Sequence, residues 1–182
     1  CHVPWGSTHE KTWHLVKTLP HVSGLFVWTG FDYLGEPTPY WWPSRSSFFG
    51  IVDLAGFPKD VYYMYKSEWT DEPVLHIFPH WNWKVGEPVD IWAYYNNADE
   101  VELYLNGKSL GVQQKTDSTY HVSWRVPFTP GTLRAVSRLG GKEVLVKEIH
   151  TAGEPARLVL TPDRSVIQAD GSDLSFVTVD VC

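Results

Sequence analysis

The chain has 182 residues and 20.8 kDa, so it cannot contain a complete (β/α)8 barrel, which needs roughly 250 residues. Hydrophobic residues make 43% and charged residues 20%, the make-up of an ordinary globular protein, and no apolar run approaches the ~18 residues of a membrane-spanning helix. A net charge of −6 with scattered Lys and Arg argues against nucleic acid as a partner, since phosphate contacts need a basic surface.

The first 70 residues are dense in Trp, Tyr and Pro. Ser7-Thr8 followed by Glu10 can cap a helix start, with the carboxylate near the positive end of the helix dipole. Trp13, Leu15, Val16 and Leu19 then fall at helical spacing, which predicts a helix over 8–19 that Pro20 stops. The run Val22-Ser23-Gly24-Leu25-Phe26-Val27-Trp28 is short and nearly continuously apolar, the pattern of a strand buried on both faces in a parallel sheet. A long Gly/Pro/aromatic loop over 29–58 follows, too aromatic to be disordered and too long to be a plain connection. Pro58 near a first turn predicts a second helix over 59–69. Helix, buried strand, loop, helix is a piece of an α/β fold.

From residue 71 the period changes to two. Val89, Ile91, Ala93 and Tyr95 alternate with Asp90, Trp92 and Tyr94, and strands are expected over 74–80, 89–95, 100–105, 108–113, 120–126, 132–139 and 143–150. Asn106-Gly107 and Gly140-Gly141 supply hairpin turns, where positive φ is needed at both central positions. About seven short strands over 71–151 predict an immunoglobulin-like β-sandwich without the usual Cys–Trp–Cys core. Over 152–182 the strand pattern resumes at 156–161, 165–168 and 174–181, with turns at Asp163 and Asp170-Gly171, and stops in mid-alternation. Both ends read as truncations of a longer protein. The fold class is therefore mainly β, a sandwich preceded by an α/β remnant, in three parts: 1–70, 71–151 and 152–182.

Ten Trp, nine Tyr and eight Phe make 15% of the chain. Large rings filling a core explain such a content. So does sugar binding, where flat rings lie on the apolar faces of pyranoses; composition leaves both open. The cysteines at positions 1 and 182 form neither a C-x-x-C nor a disulfide framework. His9 and His14 are five apart, the wrong spacing for a zinc helix, and His76 and His80 on one strand would stand too far apart to share an ion. No metal or other cofactor is expected.

Asp32 and Glu36 follow the apolar run, where α/β barrels carry their chemistry. Paired carboxylates hydrolyse glycosides from opposing walls, whereas two from one short segment share a side; the plainer reading is that they brace the loop. Trp28 would form the floor or wall of a pocket, with Tyr33, Tyr40, Trp41 and Trp42 crowding the loop beyond it. In the sandwich, Trp81, Trp83, Trp92 and Trp124 could bind carbohydrate if exposed, or pack the core; Trp81 and Trp83 would share one strand face.

Gly24-Leu25-Phe26-Val27-Trp28-Thr29-Gly30-Phe31-Asp32-Tyr33-Leu34-Gly35-Glu36-Pro37 and Ser47-Phe48-Phe49-Gly50-Ile51-Val52-Asp53-Leu54-Ala55-Gly56-Phe57-Pro58-Lys59-Asp60 together resemble the end of the catalytic barrel of glycoside hydrolase family two, which includes β-galactosidases and β-glucuronidases. Val101-Glu102-Leu103-Tyr104-Leu105-Asn106-Gly107-Lys108-Ser109-Leu110-Gly111 resembles the immunoglobulin-like domain that follows that barrel. The resemblance implies a parent that is a retaining exo-glycosidase acting on terminal β-linked sugars, with carbohydrate as its partner. It implies that 22–28 is the eighth barrel strand, and that both catalytic Glu residues lie upstream of Cys1, leaving this chain inactive alone. Of its residues, Trp28 matches an aromatic lining the pocket of the terminal sugar; Asp32, Tyr33 and Glu36 match the family pattern as further substrate-site candidates. A non-catalytic carbohydrate-binding module or a spacer is the alternative.

Overall fold

The computed structural model describes residues 6–182. Cys1 and Trp5 lie outside the described residues; Cys182 is a free, exposed thiol. Helix α1 (His9–Thr18) starts where Thr8 caps it, its hydroxyl accepting from the Lys11 N–H at 3.3 Å, and ends with Leu19 in extended backbone before Pro20. Helix α2 (Asp60–Trp69) follows Pro58-Lys59, and Asp60 sits in its first turn.

Between the helices the expectation of a buried strand over 22–28 fails. The segment has no strand pairing, and Phe26 and Trp28 are exposed. A strand buried on both faces needs hydrogen-bonded neighbours, and backbone pairing begins only at Thr29. There the segment runs beside residues 49–52: Thr29 N–H donates to Phe49 O (3.1 Å), Ile51 to Thr29 (3.0 Å), Val52 to Gly30 (3.0 Å) and Asp32 to Val52 (2.9 Å). Leu34 bridges Ser46, so the intervening residues form a loop closed at its stem.

The sandwich comes next: β1 (Leu75–Phe78), β2 (Pro88–Tyr95), β3 (Glu100–Leu105), β4 (Lys108–Gln113), β5 (Val122–Pro127), β6 (Thr132–Leu139) and β7 (Lys142–His150). All pairings are antiparallel, in one sheet of order β1-β2-β5 and one of order β4-β3-β6-β7. Asn106 and Gly107 have φ of 51° and 81°, the left-handed pair that a two-residue hairpin requires. Val89, Ile91, Ala93, Val122 and Trp124 of the first sheet face Val101, Leu103, Leu133 and Ala135 of the second. Trp81 closes one end, edge-on to Phe128, its indole N–H donating to Thr129 O at 3.0 Å.

The outer face of the first sheet is covered by the helices. Tyr63 of α2 stacks on His76 at 3.8 Å, and Phe78 packs on Trp92 and Tyr94. Asp60 accepts from His76 at 2.8 Å. Glu10 of α1 accepts from Tyr94 OH at 3.0 Å and bonds His121 Nδ1 at 2.8 Å. Glu68 of α2 takes Trp13 Nε1 (2.9 Å) and Lys17 (3.0 Å) from α1, and lies 3.6 Å from Lys115 of the sandwich. The connection between α2 and β1 is held by two asparagines beyond β2. Asn96 Nδ2 donates to Thr70 O and Glu72 O, its Oδ1 accepts from Val74 N–H, and Asn97 Nδ2 donates to Asp71 O, at 2.7–3.1 Å.

The last stretch forms one hairpin, β8 (Leu158–Pro162) with β9 (Val177–Val181). Residues 165–168 form no strand; the chain instead turns about Asp170, whose Oδ1 accepts from Ser172 and Asp173 N–H at 2.8 Å. Leu158, Leu160, Phe176 and Val179 stay exposed, as a lone hairpin has nothing to bury them against.

Candidate functional site

The site candidates lie on the segment that begins at Thr29 and on the Trp just before it. Consecutive residues of an extended chain point to opposite sides, and this separates Asp32 from Tyr33. Asp32 faces inward and is buried. Its Oδ1 accepts from Gly50 N–H at 2.8 Å and from Lys59 Nζ at 2.9 Å, and Lys59 reaches its Oδ2 at 2.8 Å. The two paired segments touch so closely that a Cβ on Gly50 would sit 2.2 Å from Asp32 N. Asp32 is thus an ion-paired brace between the loop and the start of α2. The position of Lys59, directly before the second helix, carried no mark in the sequence of that role.

Tyr33 faces the other way. Its backbone is clamped by Ser47, with Tyr33 N–H donating to Ser47 Oγ at 3.0 Å and Ser47 N–H to Tyr33 O at 2.8 Å. Its hydroxyl donates to Glu36 Oε2. That hydrogen bond to a carboxylate, with partial burial and the carboxylate's charge adding to it, raises the Tyr33 phenol above its ordinary pKa. Glu36 is held in the left-handed region at φ 46°. Trp28 stands edge-on to Tyr33 with ring centroids 6.3 Å apart, and it is 70% exposed. Trp28 also borders a shallow cavity of about 160 Å³ lined by His9, Thr12, Leu25 and Tyr65 among others.

Trp28, Tyr33 and Glu36 therefore form one open group: a flat apolar ring beside a phenol and a carboxylate. Such a group can hold a sugar, ring face on indole and hydroxyls on the polar pair. It does not supply acid/base hydrolysis by itself, which takes two carboxylates across the scissile bond. Asp32, locked to Lys59, is turned away from Glu36's side.

The sandwich tryptophans are mostly structural. Trp81 and Trp124 are buried, and Trp124 Nε1 donates to Gly111 O at 3.1 Å. Trp92 stacks on His121 at 3.8 Å under α1. Trp83 lies on His80 at 4.8 Å in the turn beyond β1, so Trp81 and Trp83 do not share a strand face: the strand ends at Phe78. His9 and His14 bond different tyrosines, Tyr65 OH at 2.9 Å and Tyr120 OH at 3.1 Å.

Residues 86–145 match a family model described as a domain of unknown function, DUF4982. A β-galactosidase of Bacteroides ovatus is 65% identical over 181 residues, which is 100% of this chain and 21% of that protein. A putative β-glucuronidase of Formosa agariphila is 42% identical over 157 residues, 82% of this chain and 15% of its own. Among solved structures, a β-glycosidase from Bacteroides vulgatus superposes with a TM-score of 0.84 at 35% identity, covering 96% of this chain and 22% of that one. A glycosyl hydrolase family 2 member from Bacteroides cellulosilyticus gives 0.78 at 34% identity, covering 94% and 25%. These relatives and structural neighbours are β-galactosidases, β-glucuronidases and members of glycosyl hydrolase family 2, and the chain matches a small portion of each. It spans 21% and 15% of the lengths of the two curated relatives.

Proposed function

We propose that this chain is part of a retaining exo-glycosidase that removes terminal β-linked sugars, in the manner of a β-galactosidase or β-glucuronidase. Its own contribution is one wall of the sugar pocket: Trp28 as the stacking ring, Tyr33 and Glu36 as the polar rim, and Asp32 as the brace that fixes their segment through Lys59. The sandwich serves as a scaffold against which α1 and α2 are seated. The two catalytic carboxylates come from outside these 182 residues, so the chain alone does not turn over substrate. The observation that carries this reading is the one-sidedness of the site: an exposed indole and a phenol–carboxylate pair on a single loop, with the neighbouring Asp32 neutralised by Lys59.

The test is hydrolysis of nitrophenyl β-galactoside and nitrophenyl β-glucuronide, by the 182-residue chain and by a full-length enzyme that carries it. Turnover is expected from the full-length enzyme only. Turnover by the short chain that disappears in Glu36→Gln or Asp32→Asn would put a complete site in the 29–58 loop and overturn the assignment.

A further inference from the structure

Helix α1 has no buried residue, and a polar stripe is what joins it to its neighbours. Glu10, His14 and Lys17 stand at i, i+4 and i+7, so they share one face of the helix. Each is bonded outside the helix. Glu10 Oε1 accepts from Tyr94 OH at 3.0 Å and bonds His121 Nδ1 at 2.8 Å. His14 Nδ1 bonds Tyr120 OH at 3.1 Å. Lys17 Nζ reaches Glu68 at 3.0 Å and lies 5.7 Å from the centre of the Tyr120 ring. Tyr94 is on β2, and Tyr120 and His121 lead into β5, so the stripe binds α1 mainly to the sandwich. The His121 ring is itself held flat on Trp92. Apolar contact has no preferred direction, whereas hydrogen bonds weaken steeply when bent. A helix held this way has its rotation and its position along the axis both fixed.

The same junction reaches Trp28 by two routes. His9 and Thr12 of α1 line the cavity that Leu25 and Trp28 also line. A hydrophobic cluster separate from the sandwich core unites Met64 and Tyr65 of α2 with Tyr94 and Tyr120, and Trp13, Leu25 and Val27 pack against it. Val27 directly precedes Trp28. It is partly buried in that cluster while the indole stands in solvent, so whatever seats Val27 also sets where the indole stands. Tyr94 takes part in both routes: its ring belongs to the cluster and its hydroxyl holds Glu10.

We infer that Tyr94 and Glu10 are positioning residues for the sugar wall: their clamp, completed by His121 across the junction of α1 and the sandwich, fixes where Trp28 stands and so sets the affinity for the terminal sugar. The inference rests on the glycosidase reading above and deepens it, giving the sandwich a part in substrate affinity beyond support. Neither residue touches the sugar; both act through Trp28.

The experiment uses a full-length enzyme carrying these residues, assayed well below its Tm on the nitrophenyl β-glycoside it hydrolyses. Tyr94→Phe keeps the ring in the cluster and removes only the hydroxyl. It is expected to raise KM about five-fold, the scale of one net hydrogen bond, with kcat little changed, the pattern of lost binding rather than lost chemistry. Glu10→Ala should do the same. Glu10→Gln, whose amide oxygen still accepts from Tyr94, should restore most of the affinity. Trp28→Ala should raise KM by itself, and adding Tyr94→Phe to it should change nothing further, since the clamp acts through that ring. Ile91→Val, in the sandwich core, separates affinity from stability: it should lower Tm and leave KM unchanged. An unchanged KM in both Tyr94→Phe and Glu10→Ala overturns the inference. So does a KM that rises with falling Tm in Ile91→Val, or a Tyr94→Phe effect that persists in full beside Trp28→Ala. A Trp28→Ala enzyme with unchanged KM would overturn the sugar-wall assignment and this inference with it. Absence of hydrolysis by the unsubstituted enzyme would overturn the glycosidase reading itself, a result distinct from the others.

Discussion

Ile91, Val101, Leu103 and Leu133 in the sandwich are 0% exposed, while Phe26, Phe31 and Leu34, in the stretch before it, are 104, 62 and 78% exposed. Both regions are rich in large apolar side chains, so hydrophobicity alone does not account for the difference. In the sandwich each strand finds partners within a few tens of residues, through hairpins such as Asn106-Gly107, and two sheets close over each other. The 22–34 segment pairs on one edge only, with residues 49–52 and Ser46. Burial follows from sheet closure; an apolar run without closure stays in solvent and states a need for a surface that the described residues do not provide.

The largest test of this contrast is truncation on each side of it. Ile91→Ala should cost about 2–5 kcal/mol in urea denaturation, as a fully enclosed side chain leaves a cavity. Phe31→Ala in the same chain should cost under about 1 kcal/mol, because water already surrounds that ring. Comparable losses at the two positions would erase the distinction between a closed and an open region.

Next in size is the brace. Asp32→Asn leaves the Lys59 ammonium, which is only 32% exposed, without its counter-charge, and should cost about 1–2 kcal/mol. Hydrogen exchange should show the loss confined to the 29–52 pairing while β2 and β6 keep their protection. Spread of the loss into the sandwich would mean that the two regions unfold as one unit.

A smaller effect is expected from pH, at the seam where the helices meet the sandwich. Burial would raise the Glu68 carboxyl, but the Trp13 N–H, the Lys17 bond and the charges of Lys115 and Lys17 outweigh it and leave it below its ordinary 4.5. The unfolded chain then takes up this proton first. The stabilisation is therefore present above about pH 4.5 and is lost as pH falls through the lowered value. Burial also holds His9 below its ordinary 6.5, so its share is present above that pH and fades as pH falls beneath it. Trp13 fluorescence should report both stages, the histidine limb vanishing in His9→Phe and the acid limb flattening in Glu68→Gln. The smallest expected change is Asp90→Ala. Its partner Arg125 stands 3.7 Å away with both side chains more than half exposed, and stability should move by less than about 0.5 kcal/mol.

Much of the closed region was legible from residue pattern. The strands at 100–105, 108–113 and 132–139 come out with the boundaries that alternation and hairpin signals set, and Thr8 caps α1 as its hydroxyl and position suggest. Local rules suffice there because each partner is close in sequence. Over 22–28 the continuous apolar run reports a demand for burial, and no pairing among the described residues meets it. Trp81 and Trp83 do not share a strand face because Pro79 follows the end of the strand, and the turn sends one indole into the core and the other onto His80. At the site, Trp28, Tyr33 and Glu36 were singled out together and lie together, but the Lys59 partner of Asp32 is 27 residues away and no spacing rule connects them.

The short joint between α2 and β1 has a practical meaning. Its exposed residues Thr70, Asp71 and Glu72 look like an inviting place for a protease to enter. Yet Asn96 and Asn97 hold three successive carbonyls of that joint from the far end of β2. A protease must peel the chain away from its support before it can cut, so limited digestion should nick elsewhere first. The same tether bears on module exchange. A recombination that swaps in a foreign sandwich without an equivalent asparagine pair would join the two halves correctly in sequence and leave them hinged where the natural pair is riveted.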